Sequence, residues 1–186
     1  MDKRSVLFCC QPDWFENRSG MKNALPAGAC SWIYETSSLT QRLKRGCGIQ
    51  FRVALLRQVW VRPWPEEARI LNAEANRYAL VREVLLSCGK QALILARTII
   101  PRDTLRGAQR KLSSLGTRPL GEVIFTYPSL KRHRLDIVKV QATDWNSCVR
   151  DRLSIQQPVW GRRTVYSIAD RKLLVCEFFL PAVLKR

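Results

Sequence analysis

The sequence predicts an α+β protein: a single domain over residues 1–186 in which short helices cover one side of an antiparallel sheet of about six strands. The chain has 186 residues, 46% of them hydrophobic, which is enough for one substantial core. Most strand-like segments follow one another through short turns, as hairpins do, and the helical segments are short. The alternating βαβ units and the glycine-rich phosphate-binding motifs of dinucleotide-binding folds are absent.

The first 34 residues are predicted to form an irregular N-terminal extension, because aromatic residues are scattered there among proline and glycine. We expect this extension to pack in part against the main body and to fray at its beginning. A short helix is predicted next. A serine at position 37 or 38 can cap it, Leu39 and Leu43 share one of its faces, and a glycine at position 46 or 48 ends it.

Strands and short helices then follow in an irregular order. Runs of β-branched and aromatic residues predict strands over 49–61, 78–87, 92–100 and 132–140, and a hairpin joins the second of these to the third. Proline followed by two acidic residues predicts a helix from Pro65, and leucines at helical spacing predict another over 104–115. A further helix is predicted from Pro119, whereas residues 142–157 are polar and predicted to be irregular.

Residues 160–182 predict a closing hairpin with a polar turn at 169–172. Because side chains alternate between the two faces of a strand, Glu177 shares a face with Leu173, Val175 and Phe179. Both faces of this strand are otherwise apolar, which is typical of a strand buried on both sides. Burying a carboxylate is costly unless a cation or a hydrogen-bond donor meets it, so Glu177 requires a partner.

Two arginines interrupt strands in a similar way. Arg82 interrupts an apolar face that includes Val84 and Leu86, and Arg97 interrupts a comparable series in the following strand. The sequence therefore predicts a polar cluster of Arg82, Arg97 and Glu177 inside the core. One interpretation is a structural ion pair of either arginine with Glu177. The other is a closed pocket in which an arginine binds an acid and Glu177 accepts a hydrogen bond or a proton.

The charge balance favours an anionic partner. Lys and Arg number 32 against 15 Asp and Glu, which gives a formal net charge of +17 with the single His neutral. Nucleic acid, a membrane surface and a small acidic substrate all fit this charge. Basic clusters at 131–134 and 161–163 make a nucleic-acid binder one alternative, but no helix-turn-helix, zinc-finger or RNP pattern occurs, so no specific nucleic-acid binding is expected. We expect a weak association with membrane surfaces at most.

The cysteine pattern predicts no metal site. The seven cysteines include no CxxC pair, and His133 has no cysteine at ligand spacing or beside it in a catalytic motif. Cys88 and Cys176 lie within apolar strand patterns, where a reduced thiol behaves as a small hydrophobic group. These features favour a reducing, cytoplasmic location. The sequence also shows neither the apolar segment of a secretory signal nor the ~20 apolar residues of a membrane span.

Four stretches, read together, resemble chorismate pyruvate-lyase. They are SSLTQRL at 37–43, YALVREVLL at 78–86 with ARTIIPRDTL at 96–105, LGTRPLGEVIF at 115–125, and WGRR at 160–163 with LLVCEFFLPA at 173–182. The resemblance implies an enzyme that eliminates pyruvate from chorismate and leaves 4-hydroxybenzoate, the aromatic precursor of ubiquinone. It also implies helical lids over an enclosed pocket, and no metal or organic cofactor.

The resemblance also implies roles for individual residues. Arg82 matches the ligand-binding arginine and Glu177 the acidic residue, and both are assigned to catalysis and to substrate binding. Leu39 and Leu120 match substrate-binding positions whose backbone faces the ligand. Both leucines lie at predicted helix starts, where free N–H groups are suited to a carboxylate.

Some features depart from the family pattern. Leu39 stands where some members carry Met, Gln91-Ala92 replaces a frequent Pro-Trp, and segment 128–159 is longer and more basic than in short relatives. An alternative function of another class also stays open, because a related fold serves as the effector-binding module of bacterial transcription regulators. In that case the chain would bind an aromatic acid without turnover. The partners expected here are chorismate and 4-hydroxybenzoate, bound by a monomer.

Overall fold

A computed structural model describes residues 4–18, 20–74 and 76–185, and it contains one seven-stranded antiparallel sheet. The strands lie in the order β1-β5-β6-β7-β4-β3-β2. Their bounds are β1 Phe15–Glu16, β2 Phe51–Val61, β3 Ala79–Cys88, β4 Gln91–Pro101, β5 Leu130–Val140, β6 Val159–Ile168 and β7 Arg171–Phe179. Six long strands and the two-residue edge strand β1 thus make the predicted α+β architecture, and the predicted strand segments are confirmed.

Six short α-helices accompany the sheet in the described residues. They are α1 Met21–Ala24, α2 Ala27–Ile33, α3 Leu39–Cys47, α4 Pro65–Leu71, α5 Leu120–Ile124 and α6 Ser147–Arg152. Further 3₁₀ turns cover Gly48–Gln50, Arg102–Leu105, Gly107–Ser114 and Ala142–Asp144. None of the helices that the structure describes is long and apolar enough to cross a membrane.

Three expectations about helices are wrong. The first 34 residues, predicted to be irregular, contain α1 and α2. The predicted helix over 104–115 is instead a pair of 3₁₀ turns, because Arg106 is extended and Gly107 has a φ of +61°, which interrupts the helical path. The segment 142–157, predicted to be irregular, contains α6, capped by the Asn146 side chain, which accepts a hydrogen bond from the Cys148 N–H.

Helix α3 begins and ends as its sequence predicts. The Ser38 hydroxyl at its N-cap accepts a hydrogen bond from the Gln41 N–H at 3.4 Å. Gly48 ends it with a φ of +53°, a conformation that glycine adopts readily. Leu39 and Leu43 are both buried, so this helix turns one apolar face onto the sheet.

The sheet has an apolar layer on each face. One face, called the pocket face below, carries Val84 and Val175 and is covered by α2, α3 and α5. The opposite face carries Leu174, Cys176 and Phe178 and is covered by α4 and by the N-terminal residues Leu7 and Phe8. Glu177 thus lies on the pocket face with Val175, as the alternation of β7 predicts.

The hairpin between β6 and β7 sets the register at the centre of the sheet. Its two turn residues, Ala169 and Asp170, have φ of 48° and 62°, which matches the twist of a two-residue hairpin turn. The pairing continues without a shift from Ile168–Arg171 to Trp160–Phe179. It therefore places Arg162 directly opposite Glu177.

Candidate active site

A pocket lies between the pocket face of the sheet and the helices α3 and α5. The space among its lining atoms, counted together with the part that is open to solvent, is about 630 Å³. The four residues assigned from sequence, Arg82, Glu177, Leu39 and Leu120, all line it. Most of the remaining wall is apolar and comes from Val53, Val84, Leu86, Ile94, Ala96, Pro119, Ile124, Phe125 and Val175. Such a cavity, apolar with a few convergent polar groups, is typical of small-molecule sites.

Arg82 supplies a buried positive charge to this pocket. Only 1% of the residue is exposed. Its Nη2 donates to the carbonyl oxygens of Gly116 and Arg118, both at 3.0 Å, and its buried Nε has no hydrogen-bond partner among the described residues. Burial lowers the pKa of Arg82 to about 10. A cation held in this way, with a donor unused, is suited to an anionic ligand.

Glu177 is held by Arg162. The Arg162 Nε donates to Glu177 Oε2 at 2.7 Å, and both side chains are largely buried. The Arg162 Nη1 also donates to main-chain carbonyl oxygens of Trp32, Ile33 and Glu35. Among the described residues, Glu177 Oε1 accepts no hydrogen bond, so one carboxylate oxygen is left for a ligand.

The beginnings of α3 and α5 meet over the pocket. Leu39 and Leu120 are the first residues of these helices, and Leu120 follows Pro119 at the N-cap. A Cβ added at Gly121 would lie 2.9 Å from Ser38 Oγ and 3.0 Å from Thr40 Oγ1, so glycine permits the close approach. Lys44 of α3 and Glu122 of α5 form an ion pair across the same junction.

Two hydroxyl groups add to the polar lining. Thr98 of β4 is buried and pairs with Arg82 on one side and Val175 on the other, so it stands on the pocket floor beside the guanidinium. The Tyr166 hydroxyl accepts a hydrogen bond from Arg132 Nη2 at 2.9 Å. Burial raises the pKa of the Tyr166 phenol, and the nearby Glu177 carboxylate raises it further.

Arg97 does not belong to this cluster, and the prediction that it would is wrong. It lies on the opposite face, where its Nε donates to Glu67 Oε1 and its Nη1 to Glu83 Oε1, both at 2.8 Å. Burial acts to lower the pKa of Arg97, but the two carboxylates raise it above its ordinary value. A β-bulge explains the error: the β3–β4 register shifts between Leu86 and Ser87, and this one-residue shift exchanges the faces of all later β4 residues.

The interpretation that Arg82 or Arg97 forms an ion pair with Glu177 is wrong, because Glu177 pairs with Arg162. The sequence does contain a signal for this pair. In a hairpin with a two-residue turn at 169–170, residues equally distant from the turn lie opposite each other, and positions 162 and 177 are such a pair.

The remaining reactive side chains lie apart from the pocket. None of the seven cysteines forms a disulfide, and burial raises the pKa of the Cys176 thiol well above its ordinary value. His133 is exposed and hydrogen-bonds Ser167 at 2.7 Å. Within the described parts of the chain, no group of three or more His, Cys, Asp or Glu residues is placed to bind a metal ion.

Comparison with known proteins gives a consistent result. The sequence pattern of the family described as "Chorismate lyase" matches residues 14–186. A probable chorismate pyruvate-lyase of Methylococcus capsulatus is 48% identical over 154 residues, covering 83% of this chain and 95% of the relative. One of Nitrosospira multiformis is 35% identical over 162 residues, covering 84% and 88%. The effector domain of PhnF from Mycobacterium smegmatis has a TM-score of 0.56 at 14% identity, covers 80% of this chain and 91% of that domain, and shows a shared fold alone.

Proposed function

Since this chain belongs to the chorismate lyase family, we propose that its buried pocket eliminates pyruvate from chorismate and leaves 4-hydroxybenzoate. The observation that carries the proposal is Arg82, a buried cation with an unused Nε inside an otherwise apolar pocket. Both the substrate and the aromatic product carry a carboxylate, which is the partner that such a guanidinium lacks.

The two ends of the ligand would be bound differently. Arg82 binds a carboxylate, and main-chain N–H groups near Leu39 and Leu120 assist it at the beginnings of α3 and α5. Glu177 accepts a hydrogen bond from the ring hydroxyl through the carboxylate oxygen that Arg162 leaves unoccupied. Thr98 lies on the pocket floor in β4, the strand between those that carry these two groups.

The elimination itself requires little chemistry from the protein. The ring carbon that carries the hydroxyl loses its proton, the neighbouring carbon–oxygen bond of the ether breaks, and the departing enolpyruvate takes up a proton to become pyruvate. The ring becomes aromatic, which makes the reaction strongly favourable. The protein contributes by holding the substrate in one geometry and by excluding water. Glu177 either removes the ring proton or orients the substrate.

Incubation of the purified chain with chorismate, without added metal or cofactor, tests the proposal. We expect 4-hydroxybenzoate and pyruvate in equal amounts by chromatography. If Glu177 removes the proton, Glu177→Gln will lower kcat by about 10²–10⁴-fold with a small change in product affinity. Glu122→Gln, which alters a carboxylate outside the pocket wall, is the control. Tight binding of 4-hydroxybenzoate without any turnover of chorismate would instead make the chain an aromatic-acid-binding protein.

We further propose that the enzyme works as a monomer in the cytoplasm and supplies the aromatic precursor of ubiquinone. Reduced thiols support the reducing compartment, since none of the seven cysteines forms a disulfide and three of them are exposed. Light scattering tests the monomer, and a particle of twice the mass would contradict it.

A weak association with anionic membranes is proposed at the corner after α3. Ile49 is 91% exposed there, next to the exposed cations Arg45, Arg52 and Lys90. The Arg52 guanidinium donates to the Ile49 carbonyl oxygen, and no acidic residue occurs from position 36 to position 65. Apolar and basic side chains together suit an anionic lipid surface. Ile49→Ser should weaken sedimentation with phosphatidylglycerol vesicles. Equal sedimentation with phosphatidylcholine vesicles would contradict the proposal.

A further inference from the structure

Arg162 contacts two parts of the chain that lie far apart in the sequence. It lies in β6 on the pocket face, is 1% exposed, and stands directly opposite Glu177. Its Nε donates to Glu177 Oε2 at 2.7 Å. Its Nη1 donates to the carbonyl oxygens of Trp32, Ile33 and Glu35 at 3.3, 3.0 and 2.7 Å.

The three carbonyl oxygens belong to the end of α2 and the residues just after it. Trp32 and Ile33 are in the last turn of α2, where carbonyl groups have no partner within the helix. A cation is favourable at this end of a helix. Arg162 therefore fixes the point at which the chain leaves α2.

The chain runs from this point directly into the wall of the pocket. The Glu35 carboxylate accepts hydrogen bonds from the Ser37 N–H at 2.9 Å and from the Ser37 hydroxyl at 2.8 Å. Ser38 then caps α3, and Leu39 begins the helix and lines the pocket. Only three residues separate the last carbonyl held by Arg162 from Leu39.

We propose that Arg162 is a positioning residue, which holds the Glu177 carboxylate and the beginning of α3 in a fixed relation to each other. This rests on the proposed function, in which Glu177 and the backbone at Leu39 contact the same ligand. One planar guanidinium makes both sets of bonds, using Nε for the carboxylate and Nη1 for the carbonyls. Lysine has one nitrogen and cannot reproduce this arrangement.

The neighbouring Arg163 provides a matched control. Its side chain is as buried as that of Arg162, but it points to the opposite face. There its Nε donates to Asp136 and its Nη2 to Glu66, both at 2.7 Å. Arg162→Lys and Arg163→Lys thus each replace a buried, ion-paired guanidinium at adjacent positions of one strand, and only the first faces the pocket.

The test compares kcat, KM and the Kd of 4-hydroxybenzoate in the two variants, at a temperature where both are folded. We expect Arg162→Lys to lower kcat by about 10²-fold, since a misplacement near 1 Å has that effect. Arg163→Lys should keep kcat within about twofold of the wild type. In a double-mutant cycle, Arg162→Lys should lower kcat by a smaller factor once Glu177→Gln is present, and the part that remains reflects the loss of its hold on the beginning of α3.

Equal kcat and equal Kd in the two lysine variants would overturn the proposal. Full additivity in the double-mutant cycle would overturn it as well, because Arg162 would then not act through Glu177. If Arg162→Lys does not fold, Arg162→Ala is assayed with added methylguanidinium, and recovery of turnover supports the proposal whereas its absence in folded protein contradicts it. Should the wild type fail to consume chorismate, the proposed function fails, and the Kd of 4-hydroxybenzoate in the two variants still decides the role of Arg162.

Discussion

Arg82 and Arg97 lie in adjacent strands, are equally buried, and have opposite surroundings. Arg82 faces the pocket and bonds two carbonyl oxygens, with no carboxylate partner among the described residues. Arg97 faces the other side of the sheet and bonds two buried carboxylates, Glu67 and Glu83. Arg82 is thus a buried cation available to a ligand, and Arg97 is part of a satisfied structural network.

Arg82→Met should weaken ligand binding strongly without destabilising the protein. Loss of a charge-assisted hydrogen bond, worth about 1.5–3 kcal/mol, will weaken 4-hydroxybenzoate binding by roughly 10–100-fold or more. The free energy of unfolding should stay the same or rise, because the variant removes a buried charge that has no carboxylate partner in the described part of the chain. Calorimetric titration and urea unfolding measure the two effects. A large loss of stability with unchanged affinity would show that Arg82 is structural.

Arg97→Met should have the opposite effect. It leaves the Glu67 and Glu83 carboxylates buried without their cation, and breaking a buried pair in this way costs about 3–5 kcal/mol of unfolding free energy. Activity per folded molecule should not change, because Arg97 does not line the pocket. Arg77→Met, which removes the exposed pair with Glu74, is the control and should leave the free energy of unfolding almost unchanged, because water screens this pair. Equal losses of unfolding free energy in Arg97→Met and Arg77→Met, measured by urea unfolding, would refute this explanation.

The ionisation of Glu35 should stabilise the protein above about pH 4.5. The Ser37 N–H bond, with the Ser37 hydroxyl, Arg42 and Arg162, holds the pKa of Glu35 below its ordinary value. A carboxyl with a lowered pKa in the folded state stabilises that state above the unfolded pKa, and this stability is lost as the pH falls through the folded pKa. The wild type should therefore lose more unfolding free energy than Glu35→Gln between about pH 5 and pH 3. The measurement is the urea midpoint of each protein as a function of pH. Parallel curves for the wild type and Glu35→Gln would contradict this prediction.

Gly121→Ala should disturb the junction of α3 and α5. The added Cβ would lie 2.9 Å from Ser38 Oγ, and such overpacking costs about 1–3 kcal/mol. Product affinity should also fall, because Gly121 and Leu120 line the pocket. Gly46→Ala, in α3 with open space around it, should be neutral or stabilising by about 0.5–1 kcal/mol. Thermal unfolding gives the stability of both variants, and titration gives their affinity for 4-hydroxybenzoate. Equal stability and equal affinity in the two variants would contradict a steric role for Gly121.

Much of the fold follows from local patterns. The strand segments, the Ser38 cap and the Gly48 end of α3 were all predicted, because each depends on alternation, capping or turn chemistry within a few residues. The alternation of β7 also placed Glu177 on the pocket face among apolar neighbours.

Other features depend on residues that are distant in the sequence. Arg162 reaches carbonyl groups about 130 residues earlier in the chain, and nothing local to 160–163 indicates those contacts. The 3₁₀ path of 102–114 likewise departs from its helical pattern, because Gly107 takes a positive φ there.

Side-chain alternation is a local property, so the charged side chains at positions 82, 97 and 177 are predictable as interruptions of apolar strands. Which of these side chains meet depends on how the strands pair. The bulge beside Leu86 moved Arg97 to the face opposite Arg82, whereas the unshifted β6–β7 pairing brought Arg162 to Glu177. The physical reason is that a one-residue change in register exchanges the two faces of a strand, and register depends on pairing between strands.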